Sequence, residues 1–324
     1  MTPRTRTVAI VSALALLAAV VVAGSAALSS DDPGAAVAPA VPTGREGAPP
    51  LVLDFGVRED ARARALRQAT RLYASGDRAG ARELFLRDDS LEAKLGLAFA
   101  SWPGSLDRVE QLGTLYPRSA LLQLHVGLAR FWAGETGSLD AWREARDVEP
   151  DTPYAVSAGD LLHRDFAPGL PLFQPTAALP AAVVGKRPAR QLELLRLGAR
   201  RGRLADQLLY GVALQRLGRP VSARRAFEAA ARAHPDEPEA LVADAVGRYS
   251  KESPVEAFSR LGPLSRRFPE AATVRFHLGL LLLWQGDVTA ARKQLRQARI
   301  QEPGSRIATE AGRYLDELAK VGTS

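Results

Sequence analysis

Apolar and polar positions follow different rules in successive stretches of this chain. From Thr7 to Leu28 no charged residue interrupts a run of 22, with Arg4 and Arg6 before it and Asp31 and Asp32 after it. At about 1.5 Å per residue, such a helix is roughly as long as a bilayer's hydrocarbon core is thick, about 30 Å. Residues 1–28 are therefore expected to form a membrane-spanning anchor. A cleaved signal peptide is the alternative, since Ser25-Ala26-Ala27 supplies small residues at a suitable place. Either reading, with the Arg pair on the near side, sends the rest of the chain out of the cytoplasm. Residues 29–50 are rich in Pro, Ala and Gly and nearly free of large apolar side chains. They cannot bury enough surface to offset their chain entropy and are expected to form a spacer.

After the spacer the period changes to that of helices. Arg58–Ser75 places apolar residues on one face and Arg on the other, and Ser305–Lys320 does likewise before a polar tail. One stretch breaks the pattern. Asp165-Phe166-Ala167-Pro168-Gly169-Leu170-Pro171-Leu172-Phe173-Gln174-Pro175 cannot be helical, which places a non-helical insertion at 164–185. The insertion is either a loop packed over the helices, hiding Phe166, Leu170, Leu172 and Phe173, or a docking loop or hinge.

The helical part repeats. Pro235, Pro269 and Pro303 follow one another at intervals of 34. The last unit runs Leu278-Gly279, Leu282, Gly286, Ala291, Leu295, Ala298, Pro303. The first runs Tyr210-Gly211, Leu214, Gly218, Ala223, Phe227, Ala230, Pro235. Small residues in both helices of a unit permit close approach, large ones fill the remaining space, and the proline ends the unit. The middle unit is weaker, with Leu241, Ala245, Ala257, Leu261 and Leu264, and with Asp244 and Arg248 in apolar places. Gln207 and Arg275 also replace large apolar residues in their units.

In period and residue classes this segment resembles the tetratricopeptide repeat (TPR) family. The resemblance implies an all-α solenoid of helix–turn–helix repeats. Residues 51–163 carry degenerate repeats, 186–303 clearer ones, and 304–324 a capping helix and tail. In the first half, Gly76-Asp77, Ala81 and Phe85 match a turn and second helix. Leu124-His125-Val126-Gly127-Leu128, Trp132 and Gly134 mirror Phe276-His277-Leu278-Gly279-Leu280, Trp284 and Gly286. That mirroring suggests a duplicated block.

In the TPR family the first helix of each unit lines a concave groove. Carried onto this sequence, the groove positions of the last unit include Thr273, Phe276, His277, Leu280, Leu283 and Trp284. The first unit contributes Val212 and Gln215, and the middle unit Val246 and Tyr249. The mirrored block contributes Leu128, Phe131 and Trp132. This lining is apolar for a surface facing water, which points either to a bound protein or peptide partner or to a groove filled by the chain itself. The basic clamp that some members use for carboxylate-ended peptides is absent, because its places hold Leu208, Val212, Ala243, Thr273 and His277.

Composition then narrows the chemistry. There is no Cys, so disulfides, thiolate metal sites and thiol nucleophiles are excluded, as is a lipid-modified N-terminal Cys. Four His leave little material for metal or acid/base catalysis, and no HExxH, GxSxG, P-loop or GxGxxG motif occurs. Asp160, His163 and Asp165 are the nearest approach to a catalytic cluster, and a helix-end histidine accounts for them more simply. No enzyme activity and no cofactor is expected. The formal net charge is +7. It peaks in Lys186, Arg187, Arg190, Arg196, Arg200, Arg201 and Arg203, opposed only by Glu193. This run suits an acidic envelope component or a solvated helix face. Nucleic acid is not expected in an extracytoplasmic compartment. The reading is a membrane-tethered interaction scaffold serving assembly or chaperoning of an envelope complex. The alternative is an extracytoplasmic enzyme or ligand-binding module with a site near 164–185.

Overall fold

The computed structural model describes residues 45–322, with side chains through Lys320. The expected anchor, Thr7–Leu28, and residues 29–44 of the expected spacer lie outside the described residues. Among the described residues there are fifteen helices and no strand, and no helix is long and apolar enough to cross a membrane. The chain divides into two compact units, one ending at Leu162 and the other beginning at His163.

The first unit holds α1 (Ala61–Ala74), α2 (Arg78–Phe85), α3 (Leu91–Ala100), α4 (Leu106–Leu115), α5 (Ala120–Ala133), α6 (Ser138–Val148) and α7 (Pro153–Leu162). The second holds α8 (Pro188–Ala199), α9 (Leu204–Arg216), α10 (Pro220–Ala233), α11 (Pro238–Gly247), α12 (Val255–Arg267), α13 (Ala272–Trp284), α14 (Val288–Gln301) and α15 (Arg306–Gly322). Within each unit, successive helices pack on one another, and α9, α11, α13 and α15 also touch in sequence. Side-chain caps open several helices: Asp60 accepts from the Ala63 amide, Asp77 from Gly80 and Asp287 from Ala290, each at 2.9 Å. Two caps come from the far end of the same hairpin. Glu149 accepts from the Ala120 amide at 2.7 Å, and Glu302 accepts from Ala272 at 3.1 Å. These equivalent carboxylates fasten α5 and α13 to the chain that follows α6 and α14.

The small residues read from the repeat sit where helices meet most closely. A Cβ on Gly211 would overlap the fully buried Phe227 ring, and one on Gly127 would overlap Trp142. The irregular middle unit has a different solution. Asp244, in an apolar place, binds Arg248 Nε through both oxygens at 3.0 and 3.1 Å. Arg260 of α12 and Glu228 of α10 complete the network at 3.4 and 3.5 Å. Each buried charge there has an opposite partner, so the polar substitution leaves no buried charge unpaired.

Two segments between or before helices are drawn into the cores. Residues 45–50, expected to belong to the spacer, are ordered against the first unit, with Pro49 buried and Phe55 part of the core. Residues 163–187 contain no helix, and their Ala167 and Phe173 are buried in the core of the second unit. Hydrogen-bond partners on the helices explain why a Pro-rich stretch is held, a compensation that composition does not reveal.

Close approach at the glycines yields a test. Gly127→Ala and Gly211→Ala should each lower stability in urea by about 1–3 kcal/mol through overpacking. Gly159→Ala, in α7 with nothing within 4 Å of its new methyl group, should be neutral or stabilising by roughly 0.5–1 kcal/mol.

Candidate functional site: two strap-filled grooves

Each unit carries a non-helical strap across its first-helix faces. In the first unit, Tyr73 of α1 donates its hydroxyl to the Pro49 carbonyl at 2.6 Å. The Val52 amide donates to His125 Nε2 of α5 at 3.0 Å. The Asp54 amide donates to Tyr154 Oη of α7 at 3.0 Å. Upstream, the Arg45 amide donates to the Trp132 carbonyl at 2.7 Å, and its guanidinium lies 4.1 Å from the Phe131 ring centre.

The second strap is built on the same plan. Gln215 of α9 accepts from the Phe173 amide at 3.0 Å, and its own amide group lies 3.5 Å from the Pro171 carbonyl. The Gln174 amide donates to His277 Nε2 of α13 at 2.9 Å. Glu239 of α11 accepts from the Thr176 amide at 2.6 Å and from its hydroxyl at 2.9 Å. Arg306, at the start of α15, donates to the Ala177 carbonyl at 2.9 Å. The Phe173 ring stacks on His277 at 4.8 Å and meets Phe227 edge-on at 5.5 Å.

The two histidines have a determined protonation state. A strap amide can only donate, so Nε2 must accept and must carry no proton. Nδ1 then holds the hydrogen and donates to the carbonyl one turn earlier, Leu121 at 2.6 Å for His125 and Thr273 at 2.7 Å for His277. Both rings are wholly buried. Burial pushes each imidazole down to about 4, against a smaller upward pull from the bond to Leu121 or Thr273.

The groove positions expected from sequence are closed in this state. Phe276, His277, Leu280, Leu283, Trp284, Val246, Tyr249, Val212, Leu128 and Trp132 are buried, and Gln215 and Phe131 are half-buried. Four of them meet a strap directly: His277, Gln215, Phe131 and Trp132. Phe276 instead meets Tyr314 of α15 edge-on at 5.8 Å. These five lining residues therefore meet the chain's own straps or last helix. Of the two alternatives that sequence left open, the described state has the filled groove. The insertion residues follow suit, with Phe173 at the bottom of the second groove and Leu170 packed against its core.

Lys186, Arg187, Arg190, Arg196, Arg200, Arg201 and Arg203 are all exposed along α8 and its flanks. Arg190 pairs with Glu193 at 2.7 Å and Arg203 with Asp206 at 3.8 Å. The Asp160, His163 and Asp165 grouping assembles no metal site: among the described residues no cluster of three or more His, Asp or Glu could hold a metal ion.

The insertion was among the expected readings as a loop packed over the helices, whereas the strap at residues 48–55, Tyr73 and Tyr154 were missed, although one signal was present. Tyr73, Gly76, Ala81 and Phe85 lie at the same spacings as Gln215, Gly218, Ala223 and Phe227. That second internal match pairs α1 with α9, just as His125 and His277 pair α5 with α13. Read together, the two matches define a duplicated pair of contact positions, one near the end of the first helix and one two hairpins later.

Residues 204–246, spanning α9, α10 and most of α11, match the family model described as Tetratricopeptide repeat. No curated protein matches the sequence. Among solved structures, a tetratricopeptide repeat protein from Parabacteroides merdae is similar, with 11% identity over 79% of this chain and 98% of that one, at a TM-score of 0.33. Yeast Tom70 is similar with 12% identity over 85% of this chain and 67% of that one, at 0.31. At these scores the likenesses bear on neither function nor shape.

The buried imidazoles predict a pH dependence. In the unfolded chain each takes up a proton near pH 6.5, and in the folded chain only near pH 4. Between those values the unfolded state binds more protons, so the histidines' contribution to stability falls as pH drops from about 6.5 to about 4 and is fully lost below. The loss should be roughly 3 kcal/mol per histidine. Urea unfolding at pH 7 and pH 4.5 measures it. His125→Leu with His277→Leu should be less stable at pH 7 and lose that part of the slope.

Proposed function

We propose that this chain, whose residues 204–246 match the tetratricopeptide repeat model, works as a protein–protein interaction adaptor. The observation that supports this reading most is the pair of grooves. Each holds a length of polypeptide by its main chain, through a buried histidine at the same repeat position. A surface that binds backbone amides and carbonyls is suited to polypeptide rather than to a small metabolite.

The proposal extends to location. Thr7–Leu28 has the length and composition of an anchor, with Arg4 and Arg6 on its cytoplasmic side and the repeat units beyond it outside. There the protein serves assembly or chaperoning of an envelope complex, without catalysing a reaction. The exposed run from Lys186 to Arg203 supports an additional contact with an acidic envelope component, steered by charge and weakened by salt.

In-cell photocrosslinking tests the adaptor reading. A photoreactive residue placed at Leu51 or Leu172, both half-buried on the straps, should yield discrete crosslinked products with other proteins. Crosslinks to this chain alone, from both sites and from a third probe at Arg196, would overturn the adaptor role. Extraction of the full chain by alkaline carbonate, or a mature N-terminus near Ala26 or Leu28, would overturn the anchor.

A further inference from the structure

Positive charge in this protein is concentrated rather than spread. Lys186 to Arg203 carry net +6, against +7 for the whole chain, with Glu193 as their single carboxylate. Attraction to an anionic surface therefore acts mainly through this stretch. The helix puts its residues in order. From Arg190 to Arg200 the exposed positions are Arg190, Glu193, Arg196, Leu197 and Arg200. That spacing of three and four forms one stripe along α8. On the other side Leu195 is buried, and Leu192 and Leu194 are half-buried against the cores. Lys186 and Arg187 before the helix, and Arg201 and Arg203 after it, extend the charge beyond both ends.

Little within the protein neutralises this stripe. Arg190 pairs with Glu193 and Arg203 with Asp206. Among the described residues the other five basic side chains form no ion pair. Two apolar side chains lie exposed in the same stretch, Val184 just before Lys186 and Leu197 on the stripe itself. A phospholipid surface uses both features at once. Guanidinium groups pair with phosphodiesters through parallel N–H donors, and exposed apolar side chains enter the headgroup boundary. A convex helix face also suits a surface that offers no groove. The tether decides between a lipid and a soluble polyanion. An anchor at Thr7–Leu28 holds a bilayer near the stripe at an effective concentration that no free polyanion matches.

We propose that the outer stripe of α8 docks the second unit onto the anionic phospholipid surface of the membrane in which the chain is anchored. The proposal rests on the tethered-adaptor reading and gives it a second point of attachment.

The chain has no Cys, so Leu197→Cys in the full chain carries one environment-sensitive fluorophore. The labelled protein is reconstituted in vesicles of phosphatidylcholine alone, or of phosphatidylcholine with phosphatidylglycerol. Its emission should move to the blue, and be quenched by spin-labelled lipid, only in the anionic vesicles. Salt at about 1 M, where the Debye length is about 3 Å, should reverse the shift. Each basic residue at an anionic surface strengthens attachment about fivefold. Arg196→Gln, Arg200→Gln and Arg201→Gln together should thus weaken docking on the order of a hundredfold and abolish the shift. Circular dichroism checks the fold. If the triple variant loses helix, Lys186→Gln with Arg187→Gln, outside α8, replaces it.

Identical emission in the two kinds of vesicle overturns the proposal, as does a shift that survives the glutamine replacements. A shift given by soluble polyglutamate but not by anionic vesicles assigns the stripe to an acidic macromolecule and also overturns the lipid contact. If docking fails while crosslinks to other proteins persist in cells, the adaptor role stands without it. If docking holds but no partner is crosslinked, the lipid contact stands and the adaptor reading falls.

Discussion

A neutral imidazole with both nitrogens engaged is the interaction on which the straps depend. Nδ1–H is held by a carbonyl one turn back along the same helix, which fixes the ring and turns Nε2 toward the groove. Nε2 then satisfies a strap amide that would otherwise be buried without a partner, a penalty on the order of 1–3 kcal/mol. The same bond demands that the strap residue not be proline, and Val52 and Gln174 meet that demand within Pro-rich surroundings. It also demands that the ring stay uncharged, which burial ensures down to about pH 4.

The rest of each unit supports that arrangement through close helix contact. Gly127 and Gly211 let an aromatic ring lie directly against helix backbone, which holds neighbouring helices at a defined spacing. Glu149 and Glu302 fasten the starts of α5 and α13, the helices bearing the histidines. Tyr73 and Gln215, two hairpins earlier, reach the strap's proline end. Binding of main chain across several helices therefore follows from repeat geometry, since positions related by the repeat present their side chains along one line. Strap holding and fold stability draw on the same residues here, which is why a filled groove looks like core.

The groove residues were legible in sequence as a class. Phe276, Leu280, Leu283 and Trp284 stand at first-helix positions, and their apolar character showed that something covers them. What covers them stayed open between a partner and the chain's own insertion or last helix. A Pro-rich stretch has no period that would reveal its packing, and the side chains that hold it, Tyr73, His125 and Tyr154, come from far along the chain. His125 and His277 could be paired by their spacing, yet the bond each makes depends on an amide brought in from elsewhere. The basic residues around α8 were equally visible, and they remain exposed because little carboxylate faces them.

By itself the sequence determined the helical repeat. The intervals between Pro235, Pro269 and Pro303, and the alternation of small and large residues, carried the resemblance to the TPR family that implies stacked helix hairpins. It determined also the absence of thiol chemistry and the concentration of positive charge. Tertiary structure decided the rest: that residues 48–55 and 167–175 pack against the helices, that two histidines are neutral latches, and that Asp244 stands buried within a network of arginines. The reason is physical. Period and composition report what each residue contributes to its own helix. A strap's place depends on hydrogen bonds between residues 73 and 103 positions apart, which no local pattern encodes.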